Sequence, residues 1–305
     1  MTRQGQVVTD RVQGSDRFAS AVAVSKAAFP GTAPVVVVAN GEAFPDALAA
    51  GPAAAKLGGP LLLARATALT DTTVTEIKRL KPSRIVVAGG PNSISDGVLV
   101  QLKTLATTVE RVSGGDRYET SRKLAALAFP RATTVYVASG DAFPDGLAAG
   151  AAAASSAAPL LLVSSSAGSV DAPTASLVKA LGATRGRVVG GVNAVQEGVV
   201  SGVRATVADT RRISGPDRFA TAIAVSADGF TAAPRAFVVS GMDFPDGLVT
   251  APLAGRSHAP VYLSSGDCLD RSVLTDLDRL GATRLTLVGG EASLSSNVAR
   301  VRFCS

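Results

Sequence analysis

The sequence predicts an α/β protein of three tandem, open three-layer domains, each with a parallel sheet between helices. Three observations carry this reading. GSDRF at Gly14–Phe18 returns as GGDRY at Gly114–Tyr118 and GPDRF at Gly215–Phe219, at offsets of 100 and 101 residues. AFPDALA at Ala43–Ala49 returns as AFPDGLA at Ala142–Ala148 and DFPDGLV at Asp243–Val249, at offsets of 99 and 101. Between these markers, β-branched runs of strand length alternate with stretches of helical periodicity, the signature of βαβ units with right-handed crossovers. A period near 100 residues exceeds the roughly 20–50 of solenoid repeats, so each copy is expected to be a compact domain with its own core. The 305 residues divide into copies at 1–106, 107–207 and 208–305, although the strands TVERV and ADTRRI beside the boundaries fit either neighbour.

The first copy shows the order of elements. VVTDRV is a short strand. Asp16 stands where an N-cap belongs, and DRFASAVAVSKAAF keeps helical spacing until Phe29-Pro30-Gly31 stops it. PVVVVAN, bounded by Pro34 and Asn40-Gly41, reads as a strand buried on both faces. Pro45-Asp46 opens the alanine-rich helix PDALAAGPAAAKL, and PLLLA is a second buried strand. TDTTVTEIKRL is a helix capped by Thr70 or Asp71, SRIVVAGG a third strand, SISDGVLVQLKTL a last helix, and TVERVSG a strand leading into the next copy. The pairs Gly89-Gly90, Gly190-Gly191 and Gly289-Gly290 repeat at the end of the third strand. No Gly/Ser linker separates the copies, so they should pack together, and three near-equal units invite a pseudo-threefold arrangement within a monomer.

Composition removes many functions. One histidine, His258, and two cysteines, Cys268 and Cys304, cannot build a multi-histidine or Cys₄ metal site, and no metal or cofactor is expected. There is no tryptophan and only 4% aromatic residues, too few for a platform that grips neutral sugars by stacking. No GxxxxGK[ST], helix-opening GxGxxG or GxSxG motif occurs, and no second carboxylate stands at fixed spacing from the repeated aspartates. Catalysis therefore has no positive support. The net charge of +6 favours an acidic partner. It falls from +4 to +2 to 0 across the copies and lacks the Lys/Arg clusters interleaved with aromatics that nucleic acid requires. The start, MTRQGQVVTDRV, lacks signal-peptide architecture, and no run of 18 or more apolar residues occurs, so membrane insertion is not expected.

Ligands of open parallel sheets bind beyond the carboxyl ends of the strands. Here these ends carry Asn40-Gly41, Ser139-Gly140 and Ser240-Gly241, the FPD tripeptides and the Gly-Gly pairs. Backbone N–H groups and helix ends there suit an anion, while the plain alternative makes Asp46, Asp145 and Asp246 helix caps. Arg17, Arg117 and Arg218 sit in a first helical turn, where the helix dipole disfavours a cation. Their retention in all copies points to a partner, either a carboxylate of an adjacent unit or a phosphate or carboxylate of a ligand. Cys268 and Cys304 either pair, closing a loop worth about 4 kcal/mol in the chain-entropy model, or remain buried thiols.

The repeated R-x-x-G-x-D-R-[FY], the strand followed by FPDAL, the PLLL strand and the V-x-G-G turn together resemble the cell wall-binding repeat 2 family, over essentially the whole chain. The resemblance implies Rossmann-like or toprim-like domains around a pseudo-threefold axis. It also implies secretion to a Gram-positive cell surface and non-covalent anchoring to anionic wall polysaccharide or teichoic-acid-like polymers. The residues it links to polymer binding are Arg17, Arg117 and Arg218, with Pro60, Leu61, Leu62 and Leu63 and Pro159, Leu160, Leu161 and Leu162. Copy three departs with Pro260-Val261-Tyr262-Leu263, which puts its site in doubt. Physically the leucines fit a buried strand that shapes a site from beneath. Family proteins join such repeats to an effector domain such as an amidase, protease or adhesin. The competing readings are a small-molecule or sugar-phosphate binder or hydrolase using the strand-end cleft of copy three, with His258, Asp267 and Cys268, and a structural surface-layer component.

Overall fold

The computed structural model describes residues 7–304, so the first six residues of the start read above lie outside it. In chain order the first elements are β1 (Val8–Val12), α1 (Arg17–Ala28), β2 (Val35–Asn40), α2 (Pro45–Leu57), β3 (Leu61–Ala64), α3 (Asp71–Leu80), β4 (Arg84–Ala88), α4 (Asp96–Leu102) and β5 (Thr108–Val112). The second round is α5 (Arg117–Ala128), β6 (Thr134–Ser139), α6 (Pro144–Ser155), β7 (Leu160–Val163), α7 (Ala172–Ala180), β8 (Arg185–Val189), α8 (Glu197–Thr206) and β9 (Asp209–Ile213). The third is α9 (Arg218–Gly229), β10 (Arg235–Ser240), α10 (Pro245–Ser257), β11 (Val261–Ser264), α11 (Arg271–Leu280), β12 (Arg284–Val288) and α12 (Ser296–Ala299).

Three four-stranded sheets result, ordered β3-β2-β4-β5, β7-β6-β8-β9 and β11-β10-β12-β1, with every pairing parallel. The boundary strands thus pair backwards: β5 lies on β4 and β9 on β8. The same rule leaves the third sheet short of a strand, and β1 fills the place, with Val8 opposite Arg284 and Val12 opposite Val288. The chain is therefore a closed ring of three units whose first strand completes the last sheet. The central strand β2 is a β-branched run and the edge strand β3 a leucine run because both faces of each are covered, and Val36, Val37, Val38, Leu62 and Leu63 expose nothing.

The helices α2, α6 and α10 pack on one another at the centre of the ring. Their alanine and glycine content permits this approach. Leu48 of α2 lies over Gly146 of α6, and Leu147 of α6 lies over Gly247 of α10, where an added Cβ would come within 3.0 and 2.7 Å of leucine methyls. At the N-terminal ends of these helices Phe44, Phe143 and Phe244 meet on the pseudo-threefold axis, with centroids 5.8–5.9 Å apart in every pair. Such edge-on and tilted contacts are the favoured arrangements for aromatic quadrupoles.

Candidate functional site: three grooves between units

Each groove begins with the turn that follows the first strand of a unit. Asp16, Asp116 and Asp217 cap α1, α5 and α9, their carboxylates accepting hydrogen bonds from backbone N–H groups of the first turn. The following arginine leaves the helix towards its own sheet. Nη1 of Arg17, Arg117 and Arg218 donates to the carbonyls of Gly41, Gly140 and Gly241 at 2.7, 2.6 and 2.6 Å. The guanidinium then lies over the phenylalanine of the neighbouring unit: Arg117 over Phe44, Arg218 over Phe143 and Arg17 over Phe244, at 6.0, 5.9 and 5.8 Å from the ring centroids. The unfavourable first-turn position is thus offset by a strand-end carbonyl and a ring quadrupole across the interface.

The opposite wall carries the FPD aspartates, and here the helix-cap expectation is corrected. The N-cap positions of α2, α6 and α10 are Phe44, Phe143 and Phe244, with no side-chain cap and with proline at the first helical position. Asp46, Asp145 and Asp246 stand one residue further on, with carboxylates folded over the first glycine of each Gly-Gly turn. A Cβ at Gly190 or Gly289 would stand 2.7 or 2.6 Å from Oδ2 of Asp145 or Asp246, and one at Gly89 would collide with Asp46 in the same way. These glycines also have φ of 111°, 118° and 129°, so both conformation and close approach exclude a side chain.

Burial pushes the pKa of all three aspartates up. The arginine of the adjacent unit opposes this each time: Arg117 for Asp46, Arg218 for Asp145 and Arg17 for Asp246. Ser93 and Thr120 also hydrogen-bond Asp46, and Ser20 does so for Asp246. The cavity between the first and second units, about 430 Å³, is lined by Asn40, Asp46, Asn92, Ser93, Arg117 and Thr120. Its counterpart between the third and first units, about 170 Å³, holds Arg17, Ser20, Asp243, Asp246 and Ser293. Sequence reasoning assigned no role to Arg11, Arg111 and Arg212, which fix the groove floor by donating to the carbonyls of Gly289, Gly89 and Gly190 at 2.6, 2.8 and 2.7 Å. Their recurrence at offsets of 100 and 101 was the available signal.

The leucine strands are placed differently from the arginines. Pro60 and Pro159 are buried, and Leu61–Leu63 and Leu160–Leu162 are exposed by at most 1%, which leaves their side chains no surface for direct polymer contact. They fill the sheet beneath the strand ends. The departure in the third copy is also internal: Tyr262 is fully buried, and its hydroxyl donates to Asp276 Oδ2 at 2.7 Å. Cys268 and Cys304 form a disulfide that fastens the chain end to the loop after β11. Asp267 accepts from Ser295 and Asn297, while His258 caps α10 at the opposite end of β11, so the three polar residues singled out in copy three do not converge.

The same architecture occurs in solved structures. Cwp8 from Clostridium difficile superposes with a TM-score of 0.87 at 27% identity, over 97% of this chain and 51% of that one. Cwp6 from the same organism shares the fold, with a TM-score of 0.88 at 24% identity over 97% of this chain and 48% of that one. In sequence the chain is 26% identical to the N-acetylmuramoyl-L-alanine amidase LytC of Bacillus subtilis, over 95% of its own length and 57% of the amidase. The chain thus spans about half the length of the relatives it matches. The cell wall binding domain 2 family matches residues 11–99, 111–200 and 212–299, one match per structural repeat, and the chain belongs to that family.

Proposed function

We propose that this chain is a non-catalytic anchor of a secreted protein, a monomer that holds anionic wall polysaccharide or teichoic-acid-like polymer in the three grooves between its units. The supporting observation is the threefold recurrence of one guanidinium at the mouth of a strand-end cleft, fixed by one Nη1 bond to a strand-end carbonyl and by a ring, with Asp141 Oδ1 also 4.0 Å from Arg117 Nη1. A guanidinium has five N–H donors, so one held in this way keeps donors for phosphate or carboxylate. The leucine strands support the groove from beneath. The parts of the relatives that lie beyond this chain's span are where catalytic work would reside.

The test is sedimentation of the purified protein with Gram-positive cell walls, before and after acid extraction of their anionic polymers. Binding should fall as ionic strength rises, because partly exposed charges are screened, and should disappear after extraction. Retention of full binding by extracted walls would refute the proposal.

A further inference from the structure

The three units differ sharply at one place outside the grooves, the strand-end cleft between the β3-like strand and the first helix of the unit. In the second unit this cleft is a cavity of about 130 Å³ lined by Asp116, Tyr118, Arg122, Ser164, Ser169 and Asp171, above Leu162 and Val163. Several features belong to this unit alone. Tyr118 replaces Phe18 and Phe219, and Arg122 replaces Val22 and Ile223. The loop from β7 to α7 has eight residues where its counterparts have six.

The first unit shows what fits such a cleft. There, Arg65 occupies the register position of Ser164, its guanidinium 5.0 Å from the centroid of Phe18 and 3.0 Å from the Glu42 carboxylate. The first unit therefore fills its own cleft with a cation lying on the aromatic ring. In the third unit the corresponding loop is braced to the chain end by the Cys268–Cys304 disulfide and the Leu269–Phe303 bridge. The second unit keeps the ring and the acidic surroundings but puts a serine in place of the arginine. Asp141, the counterpart of Glu42, accepts from Tyr118 Oη, Ser164 Oγ and Ser165 and is held ionised, its pKa lowered to about 2. Within the cavity Arg122 Nη1 pairs with Asp171 Oδ2 at 2.8 Å, and Arg117 Nη1 stands 4.0 Å from Asp141 Oδ1.

We propose that this cleft of the second unit is a binding site for a primary ammonium group carried on a small polar body, such as a non-acetylated amino sugar or the free amine of a wall peptide. The ammonium takes the place that the Arg65 guanidinium has in the first unit, over the ring of Tyr118 and beside the carboxylate of Asp141, the counterpart of Glu42, a cation–π and ion-pair arrangement. The serines offer hydroxyls to the body of the ligand. This site shares Asp116 with the lining of the groove between the first and second units and otherwise has its own lining.

Tyrosine emission reads the site directly. The chain has no tryptophan and three tyrosines, and Tyr136 and Tyr262 are exposed by 2% and 0%. The full chain is titrated with D-glucosamine, with L-lysinamide and with uncharged N-acetyl-D-glucosamine. A saturable change with at least one ammonium probe, at affinities on the order of millimolar, and none with the acetylated sugar supports the site; the probe that responds identifies sugar or peptide as the source. Ser164→Arg, which installs the residue the first unit already accommodates, should weaken the response at least about tenfold while wall sedimentation persists. Asp171→Asn, which keeps a helix-capping side chain but frees Arg122 to repel a cation, should weaken it as well. An equal response to N-acetyl-D-glucosamine, no response to either ammonium, or an undiminished response in folded Ser164→Arg would overturn the proposal.

Discussion

Replacing Arg117 by alanine separates the two tasks assigned to the repeated arginine. Within the fold, its guanidinium donates to the Gly140 carbonyl at 2.6 Å and lies over Phe44 of the preceding unit. A hydrogen bond from a charged donor contributes about 1.5–3 kcal/mol, and a cation–π contact at an accessible site about 0.5–1 kcal/mol. The side chain keeps 39% of its surface exposed, which argues for the lower half of both ranges. Arg117→Ala should therefore cost about 2–3 kcal/mol. In a cooperative unit of this size that lowers Tm by about 3–5 °C. Arg17→Ala and Arg218→Ala should cost the same, because their hydrogen-bond and ring distances agree with those of Arg117 to within 0.2 Å. Urea unfolding gives the stability loss, and wall sedimentation well below Tm gives the binding loss of the folded protein. If Arg117→Ala unfolds like the parent to within about 0.5 kcal/mol, the guanidinium is not held inward and the description of the groove mouth fails.

Two further predictions follow from groups around the grooves. Asp145 has its pKa raised by burial, opposed by Arg218. The stability it contributes is thus present below its ordinary value of 3.8 and is lost as pH rises through the folded value, so Asp145→Asn should raise Tm at pH 7 and give no gain below about pH 3.8. Equal gains at both pH values in thermal unfolding would contradict this. Tyr262→Phe removes the hydroxyl that donates to buried Asp276, so it should cost about 1–2 kcal/mol in urea unfolding. Wall sedimentation should not change, and a loss of binding without a loss of stability would show that this strand reaches the ligand.

The elements were legible because local chemistry determines them. Val35–Asn40 is a β-branched run closed by turn residues, and Asp16, Thr70 and Ser95 cap the helices that follow them. The partner of β1 was not legible. VVTDRV, TVERV and ADTRRI present the same short pattern, and nothing local to Val8–Val12 favours pairing with a strand more than 270 residues away. Only closure of the ring decides it. The role of the FPD aspartates was hidden for a related reason: an acidic residue after proline suits a helix start whether it caps the helix or stands at its second position. The deciding contact, with the Gly-Gly turn of another strand, is tertiary. In the third copy, Val261 and Tyr262 in place of leucines suggested a damaged site, yet the Tyr262 hydroxyl donates to buried Asp276 of α11, a contact between strand and helix that only the fold brings together, and Asp276 also pairs with Arg279 one turn along the same helix.

Ring closure also bears on why three copies occur together. Every groove is divided between two units: the arginine comes from one, joined by the Ser20 or Thr120 hydroxyl in two of the grooves, and the aspartate, the phenylalanine and the Gly-Gly turn come from the unit before it. A single unit therefore holds two unmatched halves and no complete groove. Two units in line hold one complete groove and leave an unmatched half at each end. Three units hold a third groove only because β1 completes the last sheet, bringing α1 with Arg17 and Ser20 against α10 with Asp246. The first strand is thus the condition on which the number of grooves rises from two to three. The grooves then share one rigid frame centred on Phe44, Phe143 and Phe244. Under the proposed function, a repeating polymer held at one groove would be presented to the others at high effective concentration, so that weak individual contacts would add up to lasting attachment.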